Sequence, residues 1–309
     1  IIARTAQAWV DARAQQRLVE IAREQLDAVA DITGLVRERV VKGATSRSDL
    51  EQANSRLDSL RSQLLAAEAE AQRASLTLMH LTGRVVPITP IGDIPPVLTD
   101  GGCDVMADTD TPAIRVAKAQ LDDARAQLAI AKADRLPTVS LDANVGQALT
   151  DGSRLFGEYR TTGQVGVNVS MPIYQGGAAG ARQRGAFYQM RAFEDAVRQA
   201  TLEERQGFAD ARAQAEGWEK RAPVMQARVD SIDATRDLYR LQYLELGTRS
   251  LLDLLNAEQE YYGARIDEAQ GRYTQYRLAV QCLYHSDRLR SAFGADASAL
   301  EPAPDFVGP

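Results

Sequence analysis

The chain of 309 residues contains no run of 18 or more apolar residues, the length that a membrane-spanning helix requires. Aromatic residues make up only 6%, too few for a thick globular core, and leucine, alanine, arginine, glutamate and glutamine dominate. The two histidines, His80 and His285, each fall at the end of a helical stretch, with no carboxylate or cysteine constellation around them in the sequence. A glycine-rich phosphate loop, a nucleophile elbow and a zinc signature are also missing, so the residues point to no enzyme and imply no cofactor or metal. A net charge of −6, without a basic stripe interleaved with aromatics, excludes nucleic acid as a partner. Ile1 leads straight into helical sequence with no signal peptide, so the start reads as a point inside a longer chain.

Cysteine is nearly absent. Cys103 and Cys282 have neither C-x-x-C nor metal-ligand spacing. Two readings stay open: unrelated thiols, or one disulfide, which an oxidising compartment permits. The second reading lays the segment around Cys103 beside the end of the last helix.

What is abundant is helical periodicity. Residues 3–41 have few breakers, and Gly43-Ala44-Thr45-Ser46 interrupts them. A second helix over about 48–81 carries Leu50, Ala53, Leu57, Leu60, Leu64, Ala67, Ala71, Ala74, Leu78 and Leu81 at steps of three and four. That spacing is a coiled-coil seam, and its alanines allow close helix approach. Residues 83–111, rich in proline and glycine, read as an irregular connector. Thr111-Pro112 starts a helix that Leu136-Pro137 ends.

The period then falls to two. Val139, Leu141, Ala143 and Val145 alternate with polar residues, as do Val165, Val167, Val169 and Met171 after a polar loop over 147–161. Each run predicts a strand of about nine residues with one apolar face, near the length that a tilted strand needs to cross a bilayer. The strands alone equally allow a soluble hairpin packed on a helix. Pro172-Ile173-Tyr174-Gln175-Gly176-Gly177 closes the hairpin, and helix resumes to about 246, with Pro223 expected to bend it. Such a helix would be on the order of 100 Å long. After Gly247-Thr248 a last helix runs to about 284, with its seam at Tyr262, Ile266, Ala269, Tyr273, Tyr276, Val280 and Leu283. From Ser286 the tail reads as loop, disordered over 301–309.

The two helix–turn–helix stretches repeat at a fixed offset. Gly43, Asp49, Leu50 and Ala53 correspond to Gly247, Asp253, Leu254 and Ala257, each 204 residues on. The second copy has a helix and two strands before its long helix, whereas the first copy begins partway down. A native chain with roughly 100 more N-terminal residues, holding a signal peptide, a helix and two strands, is therefore expected.

These residues resemble the TolC family of outer-membrane efflux and secretion channels. The resemblance is carried by 43–53, by Ala133-Asp134-Arg135-Leu136-Pro137-Thr138-Val139, by the 172–177 turn and by Gly247-Thr248-Arg249-Ser250-Leu251-Leu252-Asp253-Leu254-Leu255-Asn256-Ala257. The Arg-Ser-Leu-Leu-Asp-Leu-Leu form looks most like channels of type I secretion systems. The resemblance implies a mainly α fold with a small β part. Long antiparallel coiled-coil hairpins would form a trimeric α-barrel tunnel in the periplasm, and the β-hairpin would contribute to a twelve-stranded barrel in outer-membrane lipid. Residues 1–82 and 173–285 would then be periplasmic helical hairpins with tips at 43–48 and 245–250. Residues 83–111 and 286–309 would be equatorial, 112–136 the helix leading to the barrel, and 137–172 the membrane hairpin.

The same resemblance assigns sites. Asp253 would line the pore constriction as a threefold acidic ring, with Asn256 where the family has a second acid. Asp49 would pair with Arg249 to hold the periplasmic entrance shut, although both aspartates also suit the first turn of a helix by charge alone. The family's gate tyrosine falls on Leu244, and Tyr243 would point elsewhere on a regular helix. Gly43, Ala44, Thr45, Gly247 and Thr248 would dock a periplasmic adaptor (membrane-fusion) protein, with an inner-membrane transporter of ABC or RND type beyond it. A homotrimeric export duct with no enzymatic activity is the function implied. The competing class is a periplasmic coiled-coil scaffold that forms no channel.

Overall fold

The computed structural model describes residues 1–83, 94–99, 102–104, 110–149 and 159–295, and of 148, 149, 159 and 160 the backbone alone. The chain divides into two units, 1–111 with 204–309, and 112–203.

In the first unit, α1 (Ile2–Val41) and α2 (Arg47–Thr82) form an antiparallel hairpin. Ala53, Leu57, Leu60, Ala71 and Leu78 of the predicted α2 seam are buried, and its other members are half-buried. The small residues act as expected near the base of the hairpin, where Ala8 and Ala12 of α1 meet Leu78. The connector contributes one short helix, α3 (Pro96–Thr99). Its Leu98 is 3% exposed and packs with Val10, Val280 and Leu283, so part of the stretch read as irregular is anchored in the core.

Helix α5 (Ala178–Leu241) is continuous through Pro223 in its backbone assignment and gives way to a single π-helical turn, Gln242–Leu246. Sequence reading expected regular helix to Leu246. Helix α6 (Leu251–His285) returns and packs on α1 through Ile21, Tyr262 and Ala269. The tail expected to be loop instead forms α7 (Leu289–Ala292), because Leu289 is drawn into the same core as Val280 and Leu283. The expected disorder of 301–309 lies outside the described residues.

Cys103 and Cys282 are joined by a disulfide with a Cα–Cα distance of 5.1 Å. Gly102 lies so close to α6 that a Cβ there would be 3.2 Å from the Cβ of Ala279. His285 has a partner that the sequence did not suggest: its Nδ1 is 2.9 Å from Oε2 of Glu204, a carboxylate that is almost fully buried. The imidazole lies over Gly207, where a Cβ would come within 2.6 Å of the ring.

In the second unit, α4 (Pro112–Ala133) buries Ile114, Ala117, Leu121, Ala124, Leu128 and Ala131 at three–four steps. Arg182 of α5 reaches Asp134 at 3.3 Å, and Arg135 donates to Gln183. Strands β1 (Thr138–Leu149) and β2 (Tyr159–Ser170) pair antiparallel, Val139 opposite Val169 and Leu141 opposite Val167. Each has 12 residues, longer than the alternation alone delimited, because pairing runs on through Gly146, Gln147 and Thr161. Gly176 and Gly177, with φ of 58° and 81°, make the turn out of the hairpin, in a conformation that residues with a Cβ avoid.

Two measurements check this packing. Leu254, fully buried at the α1–α6 seam, is expected to lose about 2–5 kcal/mol of stability as Leu254→Ala in a denaturant titration. Replacing Cys103 and Cys282 together by serine is expected to cost about 2–5 kcal/mol in the same titration, since the bond closes a very long loop.

Candidate functional site: the paired hairpin tips

The two predicted tips come together in the first unit around one apolar cluster. Val29, Ile32 and Val36 of α1, Ala53, Leu57 and Leu60 of α2, Tyr243 of the π turn, and Leu251, Leu254 and Leu255 of α6 bury one another. The repeat is visible in its details. Gly43 and Gly247 both take left-handed backbone, with φ of 70° and 62°. Ser46 and Ser250, again 204 apart, cap the returning helices by accepting the backbone N–H of Asp49 and of Asp253. Each serine satisfies a donor that the first helical turn leaves orphaned. Asp253 returns the bond to the Ser250 N–H, which completes a capping box.

The acids therefore have local roles, and these differ. Asp49 accepts a hydrogen bond from the Thr45 hydroxyl. That bond holds its carboxyl below the ordinary value, slight desolvation works the other way, and the Ser46 hydroxyl and N–H lower it further. Asp253 is half-exposed, with Nη1 of Arg249 3.9 Å away, and Asn256 is exposed one turn on. Arg249 also donates from Nε to Gln242 and stacks on Tyr239, 4.4 Å from the ring centroid. Within one chain, then, Arg249 is engaged by Asp253, Gln242 and Tyr239, and Asp49 by Thr45 and Ser46. Within one chain each turn satisfies its own charge locally.

Tyr243 departs from its regular-helix expectation. A regular helix would place it about 100° around from Leu244. The π turn widens the last helical turn and carries Tyr243 inward, to 5% exposure, while Leu244 packs on the edge of the same cluster. Burial raises the phenol above its ordinary value; Arg39 and Thr45 oppose this and Asp49 adds to it, so Tyr243 shares one electrostatic environment with the first tip. Its hydroxyl has no hydrogen bond of good geometry among the described residues.

Below the tip, Glu258 is 1% exposed, and burial raises its carboxyl above the ordinary range. Arg236, 4.0 Å away and stacked on Tyr261, is the main opposing influence. The Tyr262 hydroxyl donates to the Glu24 carbonyl at 3.1 Å, and burial pushes this phenol up to about 12. Among the described residues no cluster of histidine, cysteine, aspartate or glutamate could hold a metal ion, and no helix is long and apolar enough to cross a membrane.

The chain thus has long helical hairpins, a strand pair with an apolar face, and tips built on a repeated Gly–Ser–Asp turn. The chain belongs to the outer membrane efflux protein family, whose model matches residues 1–84 and 106–286. It is 26% identical over 308 residues to the proteases secretion protein PrtF of Dickeya chrysanthemi, covering 94% of this chain and 64% of that one. It is 24% identical over 292 residues to the outer membrane protein TolC of Escherichia coli, covering 88% and 58%. The chain thus spans about three-fifths of the length of these relatives. In fold it is similar to the outer membrane protein VceC of Vibrio cholerae, at 17% identity and a TM-score of 0.77, over 92% of this chain and 68% of that one. A membrane protein from Pseudomonas aeruginosa gives a TM-score of 0.76 at 20% identity, over 92% and 65%.

Sequence reasoning missed Ser46, Ser250, Gln242, Tyr239 and Arg39. The two serines were legible, since each stands three residues before its aspartate. The π turn left no signal in the residue pattern.

The Asp49 carboxyl gives a pH test. Because its folded value is lowered, Asp49 contributes stability that is complete above the unfolded carboxylate range and is lost as pH falls through the lowered folded value. Thr45→Val removes the main cause. Its acid-unfolding midpoint, followed by circular dichroism, is expected to move to higher pH.

Proposed function

We propose that this chain is the greater part of one protomer of a homotrimeric outer-membrane export channel. It is a passive duct that catalyses no reaction, is joined to a periplasmic adaptor at its tips, and is energised by a separate inner-membrane transporter. The observation that carries the reading is the state of the strand pair. Val139, Leu141, Val145, Val165, Val167 and Val169 are 61–81% exposed on one face of a sheet of two strands. A lone hairpin of this kind is not stable in water. In lipid its apolar face is solvated, and closure with further strands satisfies every backbone group. A soluble scaffold has no use for such a face and would have to cover it.

The repeat supports assembly from several copies. An offset of 204 maps α1 onto the later part of α5, and α2 onto α6. Helix α1 packs against both α2 and α6. By the same operator, α5 packs against α6 and against an α2 from a neighbouring copy. The buried Ala269 and Val280 of α6 correspond to Leu65 and Leu76 of α2, which are 68% and 44% exposed in the single chain. Those are the residues that a neighbour would cover.

Asp253, with Asn256 beyond it, is then the lining of the constriction, where a ring of carboxylates favours cations. Arg249 and Asp49 close the entrance by contacts between copies rather than within one. Gly43, Ala44, Thr45, Gly247 and Thr248 present the adaptor-docking tips. The relatives named as protease secretion proteins, PrtF and AprF, favour type I export of a protein over efflux of small molecules.

Single-channel recording of the native protein in a planar bilayer tests this reading. Small cation-selective currents are expected, with selectivity lost in Asp253→Ala and conductance raised in Arg249→Ser. A folded, detergent-extracted trimer without conductance would remove the channel and bring the scaffold forward.

A further inference from the structure

Helix α1 does more at the tip than supply apolar packing. Its Arg39 reaches across to the second hairpin and donates from Nη1 to two backbone carbonyls, Tyr243 and Leu244, each at 3.1 Å. Its guanidinium also lies over the Tyr243 ring, 5.1 Å from the centroid. These carbonyls belong to the last turn of the helix, where four carbonyls have no partner within the helix and the macrodipole is negative. The turn's own capping bonds run to Gln242, from the N–H groups of Gly247 and Thr248, and so do not serve Tyr243 or Leu244. A cation from a neighbouring element is the group best suited to those two positions. Arg39 and Tyr243 are also 204 residues apart, so the contact joins equivalent positions of the two repeats.

We propose that Arg39 is a latch: the positioning residue by which the first hairpin holds the tip of the second in its closed place. The inference rests on the channel reading given above. Two features make it a latch rather than a permanent brace. Nε of Arg39 is buried without a hydrogen-bond partner among the described residues, and the buried hydroxyl of Tyr243 has only Thr45 beside it, out of good hydrogen-bond geometry. A buried polar group without a partner costs free energy that water restores once the group is exposed. The closed tip thus gains two charge-assisted bonds and a stacked ring while one polar atom goes unpaired and another is poorly paired. Swinging the second tip away trades the former for hydration of the latter. The balance is close enough for a docking partner to tip it, which a fully satisfied network would not allow. Arg39 forms no hydrogen bond or ion pair with Asp253 or Arg249, so it acts on the constriction only through the backbone of the π turn.

The test combines amide hydrogen exchange with conductance on the native protein. In Arg39→Gln the segment 242–252 is expected to exchange at least about tenfold faster, the change that losing even one of the two charge-assisted hydrogen bonds produces, while the middle of α1 and α2 keeps its protection. Conductance is expected to rise. Arg39→Lys, which keeps the charge but not the planar fork, should fall between wild type and the glutamine variant. Unchanged exchange over 242–252 in a variant that melts like wild type would overturn the latch. So would a closed Arg39→Gln channel beside an open Arg249→Ser channel, which leaves the gate reading standing. Faster exchange in Arg39→Gln, with neither variant altering conductance, would keep the latch and remove the gate.

Discussion

Everything in the first unit hangs on the two-sided burial of α1. A helix of 40 residues with alanine, valine and isoleucine on more than one face has to be covered on more than one face. Helix α2 covers one side, α6 the other, and Leu98 and Leu289 are drawn onto the remaining apolar surface near its start. Helix α6 is enclosed to a similar degree, whereas α2 and the later part of α5 each keep a long exposed face. Burial is thus unequal, with α1 and α6 covered and α2 and the later part of α5 open along one face.

At the tip the same enclosure becomes a matter of polar groups. Each helix end exposes orphaned backbone donors or acceptors, and the apolar cluster beneath brings four such ends close together. The donors of α2 and α6 are met locally by Ser46 and Ser250, as part of turns that the repeat supplies twice. The acceptors at the end of α5 are met from α1. The two repeats therefore share a turn design and differ in how their carbonyl ends are capped, and that difference is where one hairpin is tied to the other.

Much of this was legible in the sequence, for a reason that can be stated. The seams of α2 and α6, the strand alternation and the glycine at each tip are periodic or single-residue signals, and they need no knowledge of the neighbours. Leu57 and Tyr262 were identified because spacing alone places them on a buried face. The strands ran longer than read because Gly146 and Thr161 take part in backbone pairing without contributing to any pattern of side chains. What stayed hidden depends on partners distant in sequence. Leu289 could be drawn into α7 only once Val280 and Leu283 stood opposite it. Tyr243 turned inward only because the helix departs from 3.6 residues per turn at its end, a departure with no residue signature. Arg39 reads in the sequence as one more exposed arginine, and its role appears only when the π turn is beside it.

The bond between Cys103 and Cys282, 179 positions apart, closes the chain from 103 to 282 into a covalent ring. Both the stretch between the two strands and the tip at 247–250 lie on that ring. A protease that reached either one could cut the backbone once and release nothing, since the two fragments would still be held through the Cys103–Cys282 bond. Such a nick would pass unseen on a denaturing gel run without reductant, and the fragments would separate only after a thiol was added.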